Sequence, residues 1–567
     1  MRARIGWACV RVLIFHGYLL GGTGSNVYNA RLAEALVGLG HEVHLLSQDR
    51  HPEEQPFVDA VGDWDDGTLR VRELHSAELH SPERHSPERA RAPSGSDADV
   101  GLGSQDASNA GSTGRCVVYR PNIGGLLPVY VADRYEGIEA RTFAQCSEEE
   151  IARYLDANVA AVRELVERVR PQAALANHLV MGPAILARGL GGEVPYAVKI
   201  HGSALEYAVK PNPERFLAAA REGLAGASGI LVGSRHTAAS LWEALGDREL
   251  PARTRLGPPG VDVRRFAPRE PAEAAAGVRG LAERLRAAGR GGGPERQESA
   301  FARDELAAAA ALERLDPERD LLVAYVGKLI VSKGVDLLLA AWPLVLERVP
   351  QARLVVVGFG AYRDGLERLC AALAAGEVEG AREVALAGRA LEKESAPAHP
   401  LRHLLAFLEG LRGAERQRYV AAASALGERV VFTGRLEHEE LAELLPACRA
   451  LVVPSTFPEA FGMVAAEAAA CGALPVSAAH SGLLEVSEEL ARAVPDGAAA
   501  SLSFPVDDGA VAALAQRVVD WLQLAPELRA RARAGLVSTV RERWSWDRVA
   551  RGVIAAAHGE LDGLQEP

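Results

Sequence analysis

The chain is poor in the features that mark special architectures. Only six of its 567 residues are cysteine: Cys9, Cys116, Cys146, Cys370, Cys448 and Cys471. They are scattered and no two form a C-x-x-C pair. That argues against a disulfide scaffold or a zinc ribbon, and a reducing, cytoplasmic compartment fits best. No apolar run approaches the roughly 18 residues of a membrane span, which leaves at most peripheral membrane contact. Arg11 interrupts the apolar residues of MRARIGWACVRVLIFHG. Residues 1–10 therefore read as a loose extension ahead of a strand, not as a cleaved signal peptide. An excess of positive charge is also missing: 63 basic against 75 acidic side chains give a net charge of −12. Bulk attraction to nucleic acid is disfavoured, while a local basic pocket for a phosphate is not. What is present is ordinary. A hydrophobic fraction of 48% and a charged fraction of 24% exclude a mostly disordered chain, and the length calls for two to four domains.

The order of elements is α/β. The apolar run RVLIFHG (11–17) reads as a buried strand. GGTGS (21–25) follows, then a helix over 26–40 with Ser25 as its cap, then the strand HEVHLLSQ (41–48). Strand, Gly-rich turn, helix and strand make a βαβ unit, hence a parallel sheet. Residues 77–115 repeat HSPER and then turn Ser/Gly/Asp-rich, the composition of a disordered insertion. Further strands fall at 116–121, 173–177, 196–202 and 229–234, with helices at 148–169 and 213–225. TRLGPPGVD (254–262) suits a domain joint. A second α/β unit opens at DLLVAYVG (320–327), with strands at 352–358, 429–434, 450–455 and 473–478. Ala/Arg/Glu-rich helical insertions occupy 268–318 and 376–427, and tail helices 509–541 and 546–560 close the chain. The expected architecture is two facing, doubly wound, Rossmann-like domains, residues 11–255 and 256–540, with 541–567 as a terminal helix packing back on the first.

The strongest local signal is PEAFGMVAAEAAACG (458–472). Glu459 and Glu467 are eight residues apart, and Gly462 marks a helix entry between them. Amide groups at such an entry point outward and suit an anion or a row of hydroxyls. An isolated pair of this kind is more often a first-turn dipole partner and a solvated helix residue. The context moves the reading. GKLIVSKGVDLLLAAW (327–342) puts Lys328 at a strand's end and Lys333 at a helix start, and two cations there match a diphosphate. KIHGS places His201 at the end of another strand, where a neutral imidazole can orient a sugar hydroxyl. GGTGS lacks the third glycine of a dinucleotide fingerprint, since Val27 stands there, so a nicotinamide enzyme is a poor second choice. GDWDDG (62–67) reads as a solvated acidic turn rather than a metal site.

Taken together, G-K-x(4)-K-G-x-D-x-L, V-V-V-G-x-G, F-T-G-R-L and P-E-A-F-G-x-V-x-x-E-A-x-A-x-G resemble the family 4 retaining glycosyltransferases, also called glycosyl transferases group 1, which have the GT-B fold. The match in order and spacing runs over 320–480. The first half resembles the family more loosely, and the insertions do not.

The resemblance implies a hexosyltransferase-type enzyme of carbohydrate biosynthesis, with retention at the anomeric carbon. It implies no metal and no cofactor, because the nucleotide sugar (UDP-, GDP- or ADP-linked) is a substrate. Lys328 and Lys333 would neutralise the donor diphosphate; the family more often has Arg at the first position, so Lys328 loses the bidentate fork. Glu459 would hold donor-sugar hydroxyls, the amides of Phe461, Gly462, Met463 and Val464 would contact sugar and phosphate, and Glu467 would bind the ribose. The loop of Thr433, Gly434 and Arg435 would lie beside the base. His201 would face the reacting sugar, and Gly21 and Gly22 would let backbone approach the phosphate. The segment 541–554 resembles the family's closing stretch, with Trp544 and Trp546 as packing anchors. The acceptor is left open as a glycan, a lipid-linked sugar or a small molecule. Rival readings are a non-catalytic nucleotide-sugar or carbohydrate binder, and an epimerase or phosphorylase on the same scaffold.

Overall fold

The computed structural model describes residues 9–22, 24–74, 114–130, 138–291, 303–392 and 399–567. Residues 1–8, nearly all of the 77–115 insertion and its HSPER repeat lie outside this set. Two large sheets carry the fold. The first has nine strands in the order Thr254–Leu256, Gly229–Val232, Tyr196–Ile200, Ala173–Asn177, Arg11–Phe15, Glu42–Leu46, Arg115–Arg120, Ala60–Asp65 and Thr68–Glu73. All neighbours are parallel except the last pair, an antiparallel hairpin. The second sheet is wholly parallel, in the order Val430–Gly434, Ala352–Val357, Leu321–Val326, Ala450–Val453, Leu474–Ala478 and Ser503–Phe504. Its central strands Ala352–Val357 and Ala450–Val453 are apolar apart from Arg353 near the start of the first, as strands covered on both faces tend to be. A two-stranded parallel ribbon, Leu126–Val129 with Glu139–Thr142, flanks the first sheet.

In each sheet the winding direction reverses next to the strand that opens the unit. Arg11–Phe15 lies between Glu42–Leu46 and Ala173–Asn177, and Leu321–Val326 lies between Ala352–Val357 and Ala450–Val453. At such a point the two following loops part and leave a crevice at the carboxyl ends of the strands. The fold thus sets aside two crevices, one after Phe15 and Asn177, the other after Val326 and Val453.

The chain crosses between the units twice. Gly257–Asp262 runs beside Trp544–Trp546, and the Val261 amide donates to the Trp544 carbonyl at 2.6 Å. Gly260 is obligatory here, since a Cβ would sit 2.5 Å from the Trp546 ring. The closing helix Trp546–Ala557 returns to the first sheet and buries Ala550, Val553 and Ile554 in its core. Trp546 packs on Tyr28 with ring centroids 5.4 Å apart, and Trp544 on Phe461 at 5.2 Å, so both tryptophans are packing anchors as expected.

The structure corrects several sequence expectations. Ser25 is the first helical residue and Gly24 the N-cap, with no side-chain cap bond. GDWDDG is not a loop: Gly62–Asp65 end a strand, with Asp63 paired to Arg120 at 2.6 Å. The strand pairs with the adjacent Thr68–Glu73 on one side and with the distant Arg115–Arg120 on the other, and its acidic residues give it the look of a solvated turn. The single tail helix expected over 509–541 is two, Ala510–Leu522 and Pro526–Arg543, since Pro526 has no amide to continue the first. The described parts of the insertions at 268–318 and 376–427, residues 268–291, 303–318, 376–392 and 399–427, are built mainly of helices and share the second core through Leu281, Leu312, Leu404 and Tyr419.

Candidate active site

The crevice of the second sheet gathers the cations and carboxylates. After Leu321–Val326 the chain passes Lys328 and closes a short turn, Val331–Lys333, at Gly334. Gly334 has φ +65°, and a Cβ would come 2.0 Å from the Pro454 carbonyl. Only glycine allows this approach. Thr456 N–H donates to the Ser332 carbonyl at 2.9 Å, so the two loops of the switch point are stitched together. Lys333 is ion-paired with Glu459 across that seam. The Ser455 hydroxyl donates to the same Glu459 oxygen at 3.0 Å, and the Glu459 amide donates to Ser481 Oγ at 2.9 Å. The Glu459 carboxylate is therefore held by Lys333 and Ser455 and its backbone by Ser481, yet the side chain stays partly exposed. Lys328 sits on the same loop, half-buried.

Gly462, at φ +102°, turns the chain into the helix Met463–Ala470. Its first-turn amides, Met463 and Val464 among them, have no intrahelical partner and lie directly after Glu459. Phe461 points away, into the packing around Trp544. Glu467 is not solvated. It is 3% exposed, with Oε1 2.8 Å from His438 Nε2. Burial opposes protonation of His438, but the Glu467 carboxylate outweighs it and holds the imidazole above its ordinary pKa. Sequence reading missed His438. Its signal was slight: it stands four residues after Gly434 and opens the helix His438–Leu444. Gly434 has φ +74° and its carbonyl accepts from Gly358 N–H. Arg435 lies over the Phe359 ring at 5.7 Å and bonds Glu437 at 3.1 Å. These groups form one wall of the same crevice.

The crevice of the first sheet carries a histidine cluster that sequence reading reached only through His201. His16 follows the first strand, His178 follows Ala173–Asn177, and His201 follows Tyr196–Ile200. Ring centroids are 4.9 Å apart for His178 and His201 and 6.2 Å for His16 and His178. His201 Nε2 meets Asn177 Oδ1 at 2.8 Å, and its ring packs edge-on to Tyr28. His16 is bonded to Leu19, Asn26 and Asn29. Both ring nitrogens of His178 are buried without a partner among the described residues. Burial drives His16 down to about 4. Burial, with His178, Lys199 and His16 adding positive charge, holds His201 well below its ordinary value. The three imidazoles are neutral at pH 7. Beneath them, burial lowers Lys199 to about 7, and its Nζ donates to the Gly257 carbonyl at 2.5 Å. Gly21 and Gly22 are exposed on the neighbouring loop, Gly22 at φ +102°.

The crevices face each other. A Cβ on Gly202 would lie 3.6 Å from Ala460 Cβ, which places the His201 loop against the Glu459–Gly462 turn. Arg31 reaches Glu439 at 2.6 Å on one flank, and Glu485 accepts from the amides of Arg235 and His236 at 2.8 and 2.9 Å on the other. Among the described residues no three His, Cys, Asp or Glu side chains converge to hold a metal.

Comparison with known proteins fits this geometry. Residues 312–378 and 407–534 match the family described as Glycosyl transferases group 1. The match covers about a third of the chain, all of it in the second half. D-inositol 3-phosphate glycosyltransferase of Segniliparus rotundus is 30% identical to the chain over 265 residues, which is 46% of this chain and 45% of that protein. The chain thus spans less than half the length of this curated relative. Among solved structures, sucrose-phosphate synthase of Thermosynechococcus elongatus superposes with a TM-score of 0.51 at 18% identity, over 96% of this chain and 97% of that one. Anabaena HepE in complex with UDP gives 0.50 at 15% identity, over 97% and 100%. At such identities the likeness shows the fold: two facing Rossmann-like domains in the GT-B arrangement, with the residues that match the group 1 family in the second.

The neutral histidines carry a pH prediction. The unfolded chain takes up protons at imidazoles near pH 6.5, and the folded chain resists. Where the unfolded state binds more protons, stability falls as pH falls. His16, lowered to about 4, contributes roughly 3 kcal/mol that is complete above pH 6.5 and lost between about 6.5 and 4. The melting temperature should drop steeply across that window, and less steeply in His16→Asn. A melting temperature independent of pH between 6.5 and 5 would contradict this assignment.

Proposed function

We propose that the protein is a family 4 retaining glycosyltransferase that moves a hexosyl group from a nucleotide sugar to a hydroxyl acceptor, without a metal. In this reading residues 11–255 form the acceptor-side domain, residues 256–540 the donor domain, and 541–567 the clasp between them. The observation that carries the reading is the seam at the second switch point. There Lys333 and Glu459 meet beside the free first-turn amides of Met463–Ala470, directly opposite the His201 loop.

A donor diphosphate brings negative charge that grows as the glycosidic bond breaks. Lys333, Lys328 and the amides of Met463 and Val464 are fixed where that charge develops, and a preorganised site of this kind needs no reorganisation during the step. Glu459, released from Lys333 as the phosphate takes the lysine, accepts hydrogen bonds from donor-sugar hydroxyls. Glu467 and His438 receive the ribose, and the wall of Phe359, Gly434 and Arg435 lies beside the base. His201, neutral and oriented by Asn177, faces the reacting sugar. Retention follows if the acceptor hydroxyl attacks on the face the diphosphate leaves, which keeps acceptor and leaving group on one side of the cleft. Gly21 and Gly22 flank the phosphate from the first domain. Closure across Gly257–Asp262 then excludes water. UDP is the nucleotide supported by the complex of the fold neighbour HepE. Six free cysteines suit a cytoplasmic setting.

A thermal-shift screen of UDP, GDP, ADP and their hexose conjugates tests this. A ligand bound only by the folded state adds RT ln(1 + [L]/Kd), about 2.7 kcal/mol at a hundredfold excess over Kd. A shift with uridine nucleotides that is absent in Lys333→Ala is the expected result. The same shift in both proteins, or none with any nucleotide, would overturn the donor site.

A further inference from the structure

A second basic cleft lies at the other end of the second sheet. Arg449 opens the strand Ala450–Val453, whose far end leads to Ser455 and Glu459. Arg529 and Arg533 project from the helix Pro526–Arg543 four residues apart, hence from one face. With Trp521 and Gly472 they line a cleft of about 30 Å³. Gly472, at φ +78°, lets Arg533 come close: a Cβ there would be 3.0 Å from its Nε.

The charge is not balanced. Arg269, on the rim, is paired with Glu443 at 2.5 Å. Arg529 donates to the Leu522 carbonyl at 3.0 Å, which supplies no charge. The guanidinium groups of Arg449 and Arg533 make no hydrogen bond or ion pair among the described residues, and Glu270 is the one acidic side chain acting on Arg533 at longer range. Burial, then repulsion from Arg449, lowers both Arg529 and Arg533 from the usual guanidinium value. Three half-buried cations held together without a carboxylate cost stability. One cation would satisfy the negative C-terminal end of the helix Met463–Ala470, and the cleft supplies three.

We propose that this cleft binds a single tetrahedral oxyanion, inorganic phosphate or the phosphoryl group of a phosphate ester. The space equals about two or three waters, which admits one such group and no second. Planar guanidinium forks converging from two elements match its oxygens. The site is separate from the donor crevice, because the strand and the helix that carry its residues run between the two.

The test is melting of the Lys333→Ala protein, which removes the donor crevice's lysine, in inorganic phosphate against chloride at matched pH and ionic strength. Phosphate should raise the melting temperature by about 2–4 °C. In Arg529→Gln/Arg533→Gln on the same background the rise should vanish, while melting in chloride stays equal or moves up as repulsion is relieved. Should that variant fail to fold, Arg533→Lys keeps the charge, loses the fork and should show a reduced rise. An equal rise in the Gln variant, an undiminished rise in Arg533→Lys, or none in Lys333→Ala, would overturn the site. A larger rise with glycerol 3-phosphate than with phosphate assigns the source as a free ester. Arg529/Arg533-dependent sedimentation with phosphatidylglycerol vesicles assigns it as a lipid headgroup, and each supports the cleft.

Discussion

Lys333→Ala should lower kcat/KM by about 10³-fold, roughly 4 kcal/mol of transition-state stabilisation, while leaving the fold intact. The two halves of this expectation have different origins. Lys333 and Glu459 are 30% and 23% exposed, and an ion pair open to water to that degree contributes about 0–1 kcal/mol to stability. The melting temperature therefore changes little. In the proposed reaction the same ammonium meets a leaving diphosphate in a cleft emptied of water, where the field of one charge is far stronger. Release of UDP from UDP-hexoses, measured with a panel of acceptors, checks the rate. A variant within tenfold of wild type would remove Lys333 from the chemistry, whatever the fold.

His201→Ala should lower kcat by about 10²- to 10³-fold, with the donor KM changed much less. The imidazole lies on the face of the cleft opposite Lys333 and Glu459, so in the proposed reaction its loss falls on the reacting sugar more than on nucleotide binding. A pH profile separates this from simple damage to packing. Burial, then the neighbouring His178, Lys199 and His16, hold His201 well below its ordinary value. It loses no function through protonation as pH falls past 6.5, so no loss of rate with an apparent pKa near 6.5 should trace to it. His201→Gln, which keeps a polar tip toward Asn177, should retain more of the stability than of the rate. A wild-type rate that falls with an apparent pKa near 6.5, and no longer does so in His201→Gln, would contradict the neutral imidazole. Equal kcat in wild type and His201→Ala would remove the role.

The second half was legible because its signals are local. An apolar strand followed by glycine and lysine, or by Pro-Glu-Ala-Phe-Gly, keeps its meaning within about fifteen residues. The positions of Lys333, Gly434, Glu459 and Gly462 at strand ends and helix entries follow from that. What escaped is non-local. The partnership of His438 with Glu467 joins a helix start to a buried helix turn 29 residues on, and neither residue announces the other. The hairpin Ala60–Asp65 with Thr68–Glu73 hid behind acidic residues at the sheet's edge, where one face meets solvent. His16 and His178 are 162 residues apart and follow adjacent strands only because the first sheet reverses its winding there.

The sequence by itself determined the α/β alternation, the parallel sheets and the loops that carry chemistry. Each depends on periodicity, glycine conformation and charge over a few residues, which the chain states directly. Tertiary structure alone decided which loops meet. It set Lys333 on Glu459, Glu485 on the amides of the opposite domain, three neutral histidines in one crevice, and three arginines without a carboxylate partner at the amino end of the second sheet. Those pairings depend on strand order and crossover, and strand order is settled by burying both faces of two sheets at once, a condition no short segment carries.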